Sequence, residues 1–283
     1  MPERQASGRI FKAGGTHSFV RELGEGEPVV MFHGVPVSSF VYRKLIAPIA
    51  SGGLRAVAFD LPGLGLAARP ADFDYSLKGL INFAGSAIDC MELERCHLVV
   101  HDIGGPIGCG WAATHPERVL SLTVLNTTLR LSAYRDPWML AAFNVPGLRR
   151  LWLRMMTRPI FTELFYRDGI AKRDSISRDE VRAHYSLLRF GDGGRAFLKI
   201  NRAWCDPAFE QPIIAALNNR DYPAQLIWGE HDPVLGQRER EFVMRALGVD
   251  QALLLPAKHF LQEECAAPIA DAVLEIAAQA RAA

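Results

Sequence analysis

Cysteine is scarce, charge of one sign is lacking, and no long apolar run occurs. The five cysteines, Cys90, Cys96, Cys109, Cys205 and Cys265, make an odd count with no CxxC spacing. That excludes a disulfide framework and a zinc site, and it leaves the thiols as small buried hydrophobes. Lysine plus arginine number 32 against 31 acids, a formal charge of +1. No strong field therefore draws the chain to nucleic acid or to anionic lipid. The opening MPERQASGRIFK has no apolar run of signal-peptide length, and no stretch is long enough to span a bilayer. Internal repeats and low-complexity segments are also missing. These absences lead us to expect a soluble cytoplasmic protein with no nucleic-acid and no membrane partner. Homo-oligomer formation stays open.

What is there is an alternation of strands and helices. At 283 residues the chain fits one large α/β domain or a core with an insertion. Arg9 to Ala13 and His17 to Leu23 read as two short strands, and Pro28-Val29-Val30-Met31-Phe32 as a continuous apolar one. Helical spacing follows from Tyr42 to Ala50, a strand from Arg55 to Phe59, and a second helix through Leu77, Leu80, Ile81, Ala84, Ile88 and Met91. Further strands are expected at Leu98 to Val100, Ser121 to Asn126, Gln225 to Trp228 and Ala252 to Leu255. The pattern predicts a mostly parallel sheet covered by helices on both faces.

The rhythm breaks between residues 131 and 210. That segment holds no convincing strand, and it carries Trp138, Trp152 and Trp204. An all-helical insertion between strands predicts a cap (lid) over the strand ends, where open sheets bind ligands. The expected division is a core of residues 1–130 and 211–283 with a cap of residues 131–210. Within the cap Arg150, Arg154 and Arg158 fall four apart. The near-zero net charge favours reading them as a solvated face over an anionic partner or membrane surface.

The candidate chemistry gathers at strand ends. Leu98-Val99-Val100 stops at His101-Asp102-Ile103-Gly104-Gly105, and small residues recur at Gly108, Gly110, Ala112 and Ala113. This reads as a strand, a tight turn and a closely packed helix, with glycine where a β-carbon beside the apex would clash. The apex is Asp102, where such turns usually carry Ser. Two later strands end in Gly229-Glu230-His231-Asp232 and in Lys258-His259-Phe260. Asp102, Asp232 and His259 thus follow the chain order nucleophile, acid, histidine. Glu230 and Asp136 are weaker acid candidates. His33 is expected to prop the loop after the third strand, and His101 to pack beneath the turn.

The stretches HGVPVSSFVYR, DLPGLG, LVVHDIGG, LIWGEHDPVLG and KHFLQEE resemble the haloalkane dehalogenase and epoxide hydrolase branch of the α/β-hydrolase superfamily. The similarity runs over nearly the whole chain. The resemblance implies the α/β-hydrolase fold with an inserted helical cap, and it implies hydrolysis without a metal or organic cofactor. Asp102 would attack an electrophilic carbon of a small apolar substrate to give an alkyl-enzyme ester. His259, oriented by Asp232, would activate the water that hydrolyses the ester. The backbone N–H groups of Val35 and Ile103 would form the oxyanion hole. Asn126-Thr127-Thr128, at a position that holds the acid in other dehalogenases, offers no carboxylate, which favours Asp232.

Two departures bear on the substrate. Haloalkane dehalogenases hold the halide with a Trp after the nucleophile, and many add an Asn after the HG pair. Ile103 and Val35 stand here, and neither side chain donates a hydrogen bond. Trp138 and Trp152 are candidate cap substitutes. Epoxide hydrolases use paired cap tyrosines, and Tyr134, Tyr166 and Tyr185 are the candidates. The alternatives are an epoxide hydrolase or a lactone or ester hydrolase on the same triad, and a non-catalytic ligand receptor.

Overall fold

The computed structural model describes residues 7–135, 143, 145 and 147–282. Trp138 and Asp136 lie outside the described residues. Eight strands run β1 (Ser7–Ala13), β2 (Thr16–Leu23), β3 (Pro28–Phe32), β4 (Arg55–Phe59), β5 (Cys96–His101), β6 (Val119–Leu125), β7 (Ala224–Gly229) and β8 (Leu253–Leu255). They form one sheet in the order β1-β2-β4-β3-β5-β6-β7-β8. The β1–β2 and β2–β4 pairs are antiparallel, and every later pair is parallel.

The central strands are apolar along their length because helices cover both faces. Every residue of β5 is buried. Helices α1 (Arg43–Ser51), α2 (Leu77–Cys90) and α3 (Gly104–Thr114) connect the first parallel strands. Helix α3 packs so closely that a β-carbon at Gly104 would stand 2.3 Å from the Phe32 carbonyl oxygen.

Between β6 and β7 the described chain is helical. It contains α4 (Arg149–Met155), α5 (Arg158–Leu164), a π-helical turn at Phe165–Gly169, α6 (Arg178–Arg189), α7 (Arg195–Ala203) and α8 (Glu210–Asn218). Helix α6 starts with a capping box in which Ser177 and Glu180 satisfy each other's backbone. Helix α8 packs back on α3, with Ile213 beside Gly110. The chain ends with α9 (Gln237–Leu247), α10 (Leu261–Glu264) and α11 (Ala266–Ala282).

Candidate active site

The site is assembled where β3, β5, β6, β7 and β8 end at one edge of the sheet. Asp102 sits between β5 and α3 at φ 53°, a left-handed conformation that a side-chain-bearing residue adopts only when its surroundings hold it there. Three contacts do so. The Asp102 N–H donates to the Asn126 carbonyl at 3.0 Å, and the Asp102 carbonyl accepts from the Gly105 N–H at 2.9 Å and from the Thr127 hydroxyl at 2.6 Å. Gly34 makes room for the carboxylate, since a β-carbon there would stand 2.1 Å from Asp102 Oδ1.

The loop after β3 faces the same carboxylate. The Val35 N–H donates to Asp102 Oδ1 at 2.7 Å, and the nearby Ile103 N–H also favours the ionised carboxylate. His33 is fixed beneath this loop. The Leu61 N–H donates to His33 Nε2 at 2.9 Å, so Nδ1 carries the proton and donates to the Gly34 carbonyl at 2.9 Å.

His259 follows β8, with Nε2 3.5 Å from Asp102 Oδ2 and Nδ1 2.9 Å from Asp232 Oδ2. Asp232 is aimed by four donors. Its Oδ1 accepts from the N–H groups of Val234 and Leu235 at 2.7 and 3.1 Å, and its Oδ2 accepts from Asn126 Nδ2 at 2.6 Å as well as from His259. His101 lies under the histidine, its Nε2 donating to the His259 carbonyl at 2.9 Å.

Burial and charge set the protonation states. Burial opposes a charge on His259, but the negative charge of Asp232 and hydrogen bonds donated to both aspartates push its pKa up to about 10. Burial likewise opposes ionisation of Asp102, yet the hydrogen bond and charge of His259 hold it below the usual carboxylate range. Burial and the neighbouring His259 push His101 down to about 4. The resting site therefore holds an imidazolium between two carboxylates.

An apolar cavity opens over Asp102. Val35, Ile103, Phe143, Leu153, Phe197 and Phe260 line it, and Asp102 and His259 are in its wall. Of the three candidate tyrosines only Tyr134 reaches it. Tyr166 is buried elsewhere, with its hydroxyl donating to the Ile176 carbonyl at 3.1 Å, and Tyr185 packs edge-on against Phe161. Trp152 is 41 % exposed and does not line the cavity, because α4 turns it outward.

Two residues that the sequence did not single out belong to the site. Trp204, just past α7, is buried in the cavity wall with Tyr134 edge-on at 4.7 Å. Asn126 bridges the Asp102 backbone to Asp232. The signal for it was a polar side chain at the end of an apolar strand. Among the described residues no cluster of three His, Cys, Asp or Glu could hold a metal ion.

A sequence profile of the alpha/beta hydrolase fold family matches residues 27–264. The chain is 29% identical over 256 residues to a haloalkane dehalogenase of Mycobacterium marinum, covering 88% of this chain and 84% of that one. Over 107 residues it is 44% identical to a cis-3-alkyl-4-alkyloxetan-2-one decarboxylase of Shewanella oneidensis, covering 37% of this chain and 33% of that one. The solved haloalkane dehalogenase DatA of Agrobacterium tumefaciens superposes with a TM-score of 0.82 at 23% identity, covering 98% of both chains.

Proposed function

The chain belongs to the alpha/beta hydrolase fold family, as a dehalogenase-like hydrolase, and from that premise we propose that Asp102 is its nucleophile. The observation that carries this reading is a carboxylate, held ionised at a strained apex, facing an apolar cavity with His259 3.5 Å away. An ionised carboxylate needs no base to activate it. It attacks the carbon of a small apolar substrate, a carbon–oxygen bond forms, and the bond to the leaving heteroatom breaks with its electron pair. The helical segment of residues 131–210 serves as the cap that keeps this step dry.

Ester formation erases the negative charge of Asp102. That removes one of the two groups holding the His259 proton, so His259 gives it up and becomes the base for the second step. A water loses its proton to His259 and attacks the ester carbonyl. The N–H groups of Val35 and Ile103 hold the oxyanion. Collapse returns Asp102 as carboxylate and releases the alcohol. Asp232 keeps the ring oriented and stabilises the imidazolium.

The leaving group is the specific question. With Ile103 and Val35 offering only apolar side chains, the groups best suited are those that depart without a proton donor, such as a halide or a carboxylate. A single cavity tyrosine, Tyr134, speaks against the paired protonation that epoxide opening uses. The similarity to an oxetanone decarboxylase supports a second reading with the same first step. Attack at the alkyl carbon of a four-membered lactone breaks the ring C–O bond and leaves the carboxylate tethered to the next carbon. Water then gives a hydroxy acid. Alternatively, loss of carbon dioxide with departure of Asp102 gives an alkene.

The test is the intact mass of the His259→Gln variant after exposure to haloalkanes, epoxides and dialkyl oxetanones separately. A haloalkane adds its alkyl group, whereas a ring-opened lactone or epoxide adds its whole mass. An adduct on Asp102 is expected, absent in Asp102→Asn/His259→Gln. A folded variant that binds one of these compounds tightly yet forms neither adduct nor product would overturn this reading in favour of a receptor site.

A further inference from the structure

The outer face of the cap carries an unusual surface. Ten large apolar side chains stand out as exposed among the described residues, and six fall within residues 145–160. They are Val145, Leu148, Leu151, Trp152, Met155 and Ile160, each 41–52 % exposed. Residues 137–162 contain four arginines, Arg149, Arg150, Arg154 and Arg158, and no aspartate or glutamate. None of the four makes an ion pair among the described residues. A groove beside Ile160 continues the basic character with Arg158, Arg173, Arg178 and Arg182. Glu163 and Asp179 there are engaged by Arg173 and Arg182, each at 2.6 Å.

Helix α4 has two apolar faces. Leu153, with Met156 just past the helix, lines the cavity, while Leu151, Trp152 and Met155 face outward with the arginines between them. A helix that only needs to roof a cavity would carry polar residues on its outer side. Tryptophan and leucine among arginines, with no acid in residues 137–162 to repel phosphate, are the composition of a segment that rests at a bilayer interface.

We propose that the outer face of the cap docks peripherally on an anionic lipid surface. The arginines meet the headgroups, and Leu151, Trp152 and Met155 enter the acyl boundary. No helix of the described residues is long and apolar enough to cross a membrane, so the contact is a surface one. Near-neutral net charge had favoured a solvated arginine stripe. The local distribution outweighs it, because electrostatic attraction to a leaflet acts within a Debye length and is read by the patch. The docked helix also roofs the cavity, which places the cavity next to a reservoir of apolar substrate. The inference is independent of which bond Asp102 breaks.

The test is sedimentation of the full chain with phosphatidylcholine vesicles, with and without phosphatidylglycerol, while Trp fluorescence is followed. Binding to the anionic vesicles with a blue shift is expected. It should fall about fivefold for each of Arg149→Gln, Arg150→Gln and Arg154→Gln, and be lost in Leu151→Glu/Trp152→Glu. Thermal unfolding should be unchanged in these variants, since none of the altered side chains is buried. No sedimentation with anionic vesicles, or equal binding to both kinds, would overturn the proposal. So would a concentration-dependent dimer that Leu151→Glu dissociates, which would make this face an interface between two copies of the chain.

Discussion

Asn126 joins three parts of the site through one side chain and its carbonyl. Its Nδ2 donates to Asp232 Oδ2, its Oδ1 accepts from the Gly229 N–H at 2.8 Å, and its carbonyl receives the Asp102 N–H. Asn126→Ala strands a buried N–H and takes one donor from Asp232, so folding stability should drop by about 1–3 kcal/mol. In the proposed mechanism the Asp232–His259 pair serves the second half of the reaction. Ester hydrolysis should therefore slow more than ester formation, as rapid-quench measurement of the adduct would register. Equal slowing of both steps would mean that Asn126 acts on the Asp102 turn instead. Asp102 itself supports a second prediction. Its pKa lies below the usual carboxylate range, so its charge persists as pH falls and disappears only below that range. The rate of ester formation should stay flat from about pH 8 down to about pH 4, where an ordinary carboxylate would already be about half protonated. A rate that halves near pH 6 would exclude this ionised nucleophile.

At the level of elements, the join between the helical segment after β6 and the rest of the chain is a buried ion cluster. Glu263 of α10, whose side chain is fully buried, accepts from Arg43 of α1 at 2.5 and 2.8 Å and pairs with His184 of α6 at 2.9 Å. Phe165 stacks on His184 and on Phe260, the neighbour of His259. Removing one partner of a buried pair leaves its charge under-compensated, here eased by the bond of Arg43 to Glu180, so Glu263→Gln should cost about 3 kcal/mol in urea unfolding. Glu163→Gln, which breaks the exposed pair with Arg173, should cost less than about 1 kcal/mol. Similar losses for both would remove the clamp. This cluster also marks how far the sequence could be read. The strands were legible because each parallel strand is buried on both faces and shows a continuous apolar run. Loops at their ends then had to hold Asp102, Asp232 and His259. KHFLQEE stood out, but the partner of its Glu263 lies 220 residues earlier, and no local period encodes that pairing. Trp152 and Trp204 looked alike in a helical segment, and which one faces the cavity depends on how α4 and α7 sit on the core. Asn126 was read as a missing acid, although its amide takes up the contact to Asp232 from the same strand end.

For the molecule as a whole, the resting proton on His259 ties folding stability to the reaction. The folded pKa of about 10 lies above the 6.5 of an ordinary histidine. Its contribution is thus fully present below about pH 6.5 and is lost as pH rises toward 10. Buried thiols act in the same direction at higher pH. Burial pushes Cys96 and Cys109 up to about 12 from 9.0, so their contribution is lost only as the unfolded thiols begin to ionise. His101 acts oppositely, because a folded pKa of about 4 withdraws stability as pH falls below about 6.5. The window from about pH 6.5 to 8 therefore isolates His259. Across it the urea midpoint of the native chain should fall, whereas that of His259→Gln should stay level. Asp102→Asn should lie between them, since Asp232 alone still favours the proton. Parallel declines in all three would place the linked proton elsewhere. In the proposed mechanism Asp232 alone holds this proton once Asp102 is esterified, so ester formation in the native chain near pH 8 should release part of a proton, at most one per adduct, to a weakly buffered indicator. His259→Gln, which has no such proton to give, should form its adduct without that release, and an equal release from both would separate the titration of His259 from the chemistry of Asp102.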